Sequence, residues 1–230
     1  MAEKRHTSIQ YERELREIKE NLIYMGALVE KGIEKGIRAL LERDSHLARQ
    51  VIAEDAQIDR IDVDIEERCI KILALRQPAA IDLRFITTAI KINGHLERIG
   101  DMAVNISEKV IILNEEQQLK PYIDIPRMAE ITMEMIKGSL DAFVKEDVAL
   151  ANKVRRDDEM VDKLNEQTFR ELLTFMMEDV RTIHRSIIIM QVSKTLERIS
   201  DHAKGIADMV VYMVTGKSVR HENFTGEETS

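Results

Sequence analysis

Residues 95–106 read HLERIGDMAVNI and residues 195–206 read TLERISDHAKGI, so Leu-Glu-Arg-Ile-x-Asp occurs twice, 100 positions apart. The sequence around the two copies repeats as well. At an offset of 103, Met25 falls on Met128, Asp44 on Asp147, and Ile58-Asp59 on Val161-Asp162. The change of offset falls at the turn around Pro78, where a difference in loop length costs little. The chain therefore reads as one unit written twice.

The apolar residues Leu15, Ile18, Leu22, Met25, Val29, Ile33, Ile37 and Leu40 are three or four apart and define one stripe on a long helix. Asp44 and Ser45 offer side-chain oxygens to cap a second helix reaching about residue 75. Pro78 breaks the pattern, because proline has no amide proton and clashes with the preceding turn. A third helix fits residues 82–113. The polar segment 114–126 carries two of the three prolines and reads as a linker. Three more helices follow, over 128–145, from the Asp147 cap to 178, and over 181–215, the last ended by Gly216. The expectation is an all-α fold of two tandem three-helix repeats forming an elongated six-helix bundle. The repeats are residues 1–113 and 127–216, and the polar tail 217–230 is expected to be mobile.

Composition agrees. Among 230 residues there are 9 Gly, 3 Pro and no Trp, which suits long uninterrupted helices. A net charge of −8, with no segregated basic stretch, argues against a nucleic-acid partner. No run of about 18 apolar residues is present to span a bilayer, and the first residues lack the apolar core of a signal peptide. The expected location is the cytoplasm, with the membrane reached only through partners. The single cysteine, Cys69, lies in an apolar-patterned run and reads as a buried structural thiol.

Glu97 and Asp101 are four apart, one turn above another on a helix face, and so are Glu197 and Asp201. The preceding helix of each repeat carries a matching pair, Asp55 with Asp59 and Asp158 with Asp162. In an antiparallel hairpin, level residues lie symmetrically about the turn. The pairs 55/59 and 97/101 centre on Pro78, and the pairs 158/162 and 197/201 centre between Asp179 and Val180. Each hairpin thus brings four carboxylates to one height. Such a group must take protons, pair with basic side chains or bind cations. Oxygen donors suit magnesium, calcium and manganese and also hold iron. The other reading is a solvated face neutralised by Arg60, Arg98, Lys163 and Arg198. Asn105, Glu108 and Asp208 extend the same stripes, and Gly205 stands where Asn105 would recur. His95 and His202 point off the carboxylate face, and no Glu-x-x-His pair of the ferritin type accompanies the strips. Phosphate loops, nucleophile elbows and paired thiols are absent from the sequence.

The tandem repeat, the ERIGD and ERISD motifs and the turn LRQPAAIDLR (75–84) together closely resemble the PhoU family of phosphate-signalling regulators, over residues 9–216. The resemblance implies a cytoplasmic, PhoU/spectrin-like helical protein, often a homodimer, holding divalent or trivalent metal ions, iron or zinc among them, at paired acidic motifs. Here those motifs are Asp55, Asp59, Glu97 and Asp101, and Asp158, Asp162, Glu197 and Asp201. It further implies a non-catalytic adaptor linking a PstB-like ATPase of the phosphate ABC transporter to a PhoR-like sensor histidine kinase, and acting as a negative regulator of the Pho regulon. Arg84 belongs to the family turn without an assigned role. Two competing readings are a carboxylate-bridged metalloenzyme acting on phosphate or polyphosphate esters, and a structural bundle whose acidic strips confer solubility.

Overall fold

The computed structural model describes residues 9–219. Its elements are α1 (Ile9–Glu42), α2 (Ser45–Arg76), α3 (Ala80–Asn114), α4 (Asp124–Lys145), α5 (Val148–Glu178), a short 3-10 turn (Val180–Thr182) and α6 (Ile183–Thr215). The expected tail lies largely outside the described residues, as do residues 1–8.

The helix boundaries have local causes. Asp44 accepts from the amides of His46 and Leu47 at the start of α2, and Asp147 accepts from the amide of Leu150 at the start of α5. Those bonds satisfy amides that a helix start leaves open. Gly216 closes α6 with φ of 72°, a left-handed geometry that glycine adopts at no steric cost. The third and sixth helices start within two residues of expectation, at Ala80 and Ile183, and the fourth differs more. The fourth helix begins at Asp124 rather than Met128 and takes Pro126 into its first turn. Proline is tolerated there, because the amide it lacks would have had no helical partner.

Helices α3 and α6 form the centre of the molecule. In the first repeat α1 and α2 pack on α3, in the second α4 and α5 pack on α6, and the repeats join where α3 meets α6 and α1 meets α4. The core runs through all six helices. Phe85 of α3 stacks on Phe143 of α4 with ring centroids 5.4 Å apart, an aromatic contact between the halves. Because α3 is shared between its own hairpin and the other repeat, α2 and α5 are left on the flanks with one long edge each open to solvent. Among the described residues, no helix is long and apolar enough to cross a membrane.

Cys69 is fully buried on α2, and burial, followed by the negative charge of Glu66, pushes its thiol up to about 12. Only the thiolate reacts readily. A disulfide-exchange reagent at neutral pH should therefore leave Cys69 unmodified in the folded protein and label it promptly in denaturant; rapid labelling of the folded chain would contradict this packing. Truncating the fully buried Phe143 to alanine should cost about 3–5 kcal/mol in denaturant unfolding and destabilise both repeats together. Separate unfolding of the two halves would show that the contact between them is not structural.

Candidate metal centre

Each hairpin carries its acids at a defined place in the packing. In α2 the inward positions alternate in steps of four and three through Val51, Asp55, Ile58, Asp62, Ile65, Cys69 and Ile72, so two acids stand on the apolar stripe itself. In α5 the same positions are Val154, Asp158, Val161, Asn165, Thr168 and Leu172. Apolar neighbours above and below hold these side chains at the helix–helix seam rather than in open solvent.

In the first hairpin Asp55 lies within electrostatic reach of Asp59 and Asp101, and Glu97 within reach of Asp101, Asp62 and Asp59. The α2 to α3 register is thus symmetric about Pro78. Burial is the main cause that pushes the Asp55 carboxyl up to about 6, and the negative charges of Asp59 and Asp101 add to it. Glu97 and Asp62 are raised in the same way, by burial first and by neighbouring acids second. Close packing against glycine makes room for this. A Cβ at Gly100 would stand 3.2 Å from Asp55 Oδ1, tighter than ordinary contact. Asp62 accepts a 2.6 Å hydrogen bond from Asn93 of α3, which fixes it beside the group.

Among the described residues, no lysine or arginine forms an ion pair with these five acids. Arg60 turns back onto the carbonyl of Ala56, and Arg98 acts on Glu97 only as a neighbouring charge.

The second hairpin is built alike but neutralised differently. Asp158 is 2% exposed, and its Oδ2 receives the Lys204 ammonium of α6 at 2.6 Å. Glu197 receives Lys194 at 2.7 Å. Burial and the charges of Asp158 and Glu197 raise Asp162 and Asp201, while lysines oppose the shift: Lys204 for both acids and Lys194 also for Asp162. Lys163, a neutraliser on the sequence reading, pairs with Glu159 instead.

Other expected donors point elsewhere. Asn105 accepts from the Thr195 hydroxyl of α6 at 3.4 Å, and Asp208 pairs with Arg155 at 2.6 Å. His95 and His202 meet each other across the α3 to α6 seam, Nδ1 to Nδ1 2.8 Å. Burial, then Arg98 and Arg198, hold His202 below its ordinary pKa. As the side chains stand, no three acidic, imidazole or thiol groups among the described residues converge on one point. A cation at the first cluster would have to draw its carboxylates inward.

The family model described as the PhoU domain matches the chain twice, over residues 22–110 and 125–210, one match on each hairpin-bearing repeat. The chain belongs to the PhoU family. Its PhoU relatives include proteins named phosphate-specific transport system accessory protein PhoU homolog. The one from Pseudomonas aeruginosa is 42% identical, covering 96% of this chain and 91% of the relative. The one from Aquifex aeolicus is 44% identical, covering 92% and 96%. The crystal structure of PhoU from Pseudomonas aeruginosa superposes with a TM-score of 0.86 at 41% identity, covering 90% of this chain and all of that one. The phosphate transport system regulatory protein PhoU from Streptococcus pneumoniae superposes at 0.84 with 28% identity, covering 91% and 99%. The all-α architecture expected from the repeat is therefore that of solved PhoU structures.

Within this PhoU fold the sequence reading missed Asp62 and Lys204. Asp62 continues the four-three spacing of the α2 stripe, a signal available in the sequence. Lys204 is one turn after Ser200 and belongs to the same face as Asp201, but its partner becomes evident only when α5 is placed beside α6.

The Asp55 carboxyl takes up its proton more readily folded than unfolded, where its ordinary value is 3.8. Its protonated form thus favours the fold below about pH 4, and that contribution is lost as pH rises through about 6. In metal-free buffer, Asp55→Asn should gain melting temperature relative to the wild type as pH rises through this window. A difference independent of pH would contradict the burial and crowding of Asp55.

Proposed function

We propose that this protein is a non-catalytic accessory of phosphate uptake that acts as a negative regulator of phosphate-starvation genes, by linking the ATPase of a phosphate ABC transporter to a sensor histidine kinase. The observation that carries the reading is family membership over both repeats, together with relatives named as accessory or regulatory proteins of phosphate transport. The shape of the molecule suits an adaptor. The flanks left open on α2 and α5 offer long faces to partners, and an acidic protein of this charge docks through basic surfaces on them.

The first acidic cluster fits a hard cation. Asp55, Asp59, Glu97 and Asp101 would hold it, with Asp62 beside them, since crowded carboxylates without a paired ammonium gain from a positive ion. The ion would supply charge neutralisation that fixes α2 against α3 and sets the potential of that face for partner binding. In the host, the wild-type chain should depress phosphate-transporter expression in phosphate-rich medium, and its deletion should release that expression. Unchanged expression on deletion would contradict the regulatory reading. For the cation, protein purified without added metal should lose most of its bound metal when Asp55 and Asp101 are both changed to asparagine, measured by elemental analysis; equal content would contradict the site.

A further inference from the structure

The two acidic clusters occupy equivalent places, yet four replacements between them change the charge or the room in one direction. Val104 of α3 corresponds to Lys204 of α6, whose ammonium sits 2.6 Å from the buried Asp158. Gly94 corresponds to Lys194, which contacts both oxygens of Glu197 at 2.7 Å. Asp62, held by Asn93, corresponds to Asn165, held at 2.8 Å by the Ser193 hydroxyl. Gly100, against which Asp55 packs, corresponds to Ser200, whose hydroxyl turns back to the carbonyl of Glu197. Among the described residues, the first cluster gathers five acids and no paired lysine; the second gathers four acids with two lysines bonded into it.

We propose that the halves have diverged in kind: the second cluster is closed by the Lys204 ammonium as a resident cation, and only the first takes a metal ion. This rests on the cation reading of the first cluster. A charge-assisted hydrogen bond to a buried carboxylate is strong, and an ion entering the second cluster would have to detach Lys204 from Asp158. It would then place a second positive charge beside the displaced ammonium. Asp158 is the most buried acid of either cluster, so it is the one that most needs a fixed counter-charge. Lys204 supplies that charge at Asp158 Oδ2 whether or not metal is present, while Oδ1 is buried without a hydrogen-bond partner among the described residues. The second hairpin is thereby stable without metal, and the first is the half whose rigidity follows the ion. A covalently tethered cation in one repeat and an exchangeable one in the other makes the molecule asymmetric toward its partners.

Titration of metal-free protein with Mn²⁺, followed by the electron paramagnetic resonance signal of the free ion, tests this with three proteins. The wild type should bind about one ion. Lys204→Val, which copies the first repeat, should bind about two, and Val104→Lys should weaken the first site by about tenfold or more. Without metal, Lys204→Val should also melt below the wild type, and Mn²⁺ should restore it. Two equal sites in the wild type, unchanged in Lys204→Val, would overturn the proposal while leaving the cation reading intact. No binding by any of the three would overturn that reading, and the proposal with it. Should Lys204→Val fail to fold, wild-type affinity in Val104→Lys would overturn the proposal by itself.

Discussion

Carboxylates facing carboxylates across a helical hairpin repel, and everything distinctive in this protein follows from the packing that holds them there. Four of the acids, Asp59, Asp101, Asp162 and Asp201, are exposed, and the others are held at the helix–helix seam. Asp55, Asp62 and Asp158 occupy inward positions of α2 and α5, between Val51 and Ile65 in one case and Val154 and Val161 in the other. Burial of those apolar neighbours fixes the hairpin register, and the register sets the acids level with Glu97 and Asp101 or Glu197 and Asp201. Burying a charge without a partner is costly, so each hairpin requires a positive charge or a proton. The second repeat carries its own in Lys204. Among the described residues the first has no such lysine, and burial with the neighbouring acids raises Asp55; in the second, Asp162 and Asp201 are raised as well, against the opposing lysines.

The remaining architecture keeps these two hairpins in one body. Helices α3 and α6 each belong to an acidic hairpin and also pack on one another, with His95 against His202 and Asn105 against Thr195 at the crossing. Asn105, which the stripe would have offered to the first cluster, is used instead to join the repeats. Phe85 on Phe143 ties α3 to the other repeat at a second place. The two hairpins are therefore joined through packed side chains of α3 and α6.

Much of this was legible before the fold was known. Long helices followed from the four-three stripes and the scarcity of Gly and Pro, and their ends from Asp44, Asp147, Pro78 and Gly216. The hairpin register followed from the positions of Pro78 and Asp179 alone, because antiparallel helices place level residues symmetrically about their turn. Three features were not legible. The start of α4 hides behind Pro126, which looks like a break and is tolerated as a first-turn residue. The roles of Asn105 and Asp208 depend on α6 and on Arg155, partners far away in sequence. Lys204 reads as one more surface lysine until its distance to Asp158 is known. A strand of sequence shows which side chains share a helix face, and only packing between helices shows which of them is already paired.

The central claim is that one acidic hairpin exchanges a cation and the other contains its own. A crystal of this protein soaked in Mn²⁺ and measured at the manganese absorption edge tests it most directly. The account predicts an anomalous peak among Asp55, Asp59, Glu97 and Asp101, with Lys204 still on Asp158 and no peak between α5 and α6. Peaks of equal height in both hairpins, with Lys204 swung aside, would contradict it.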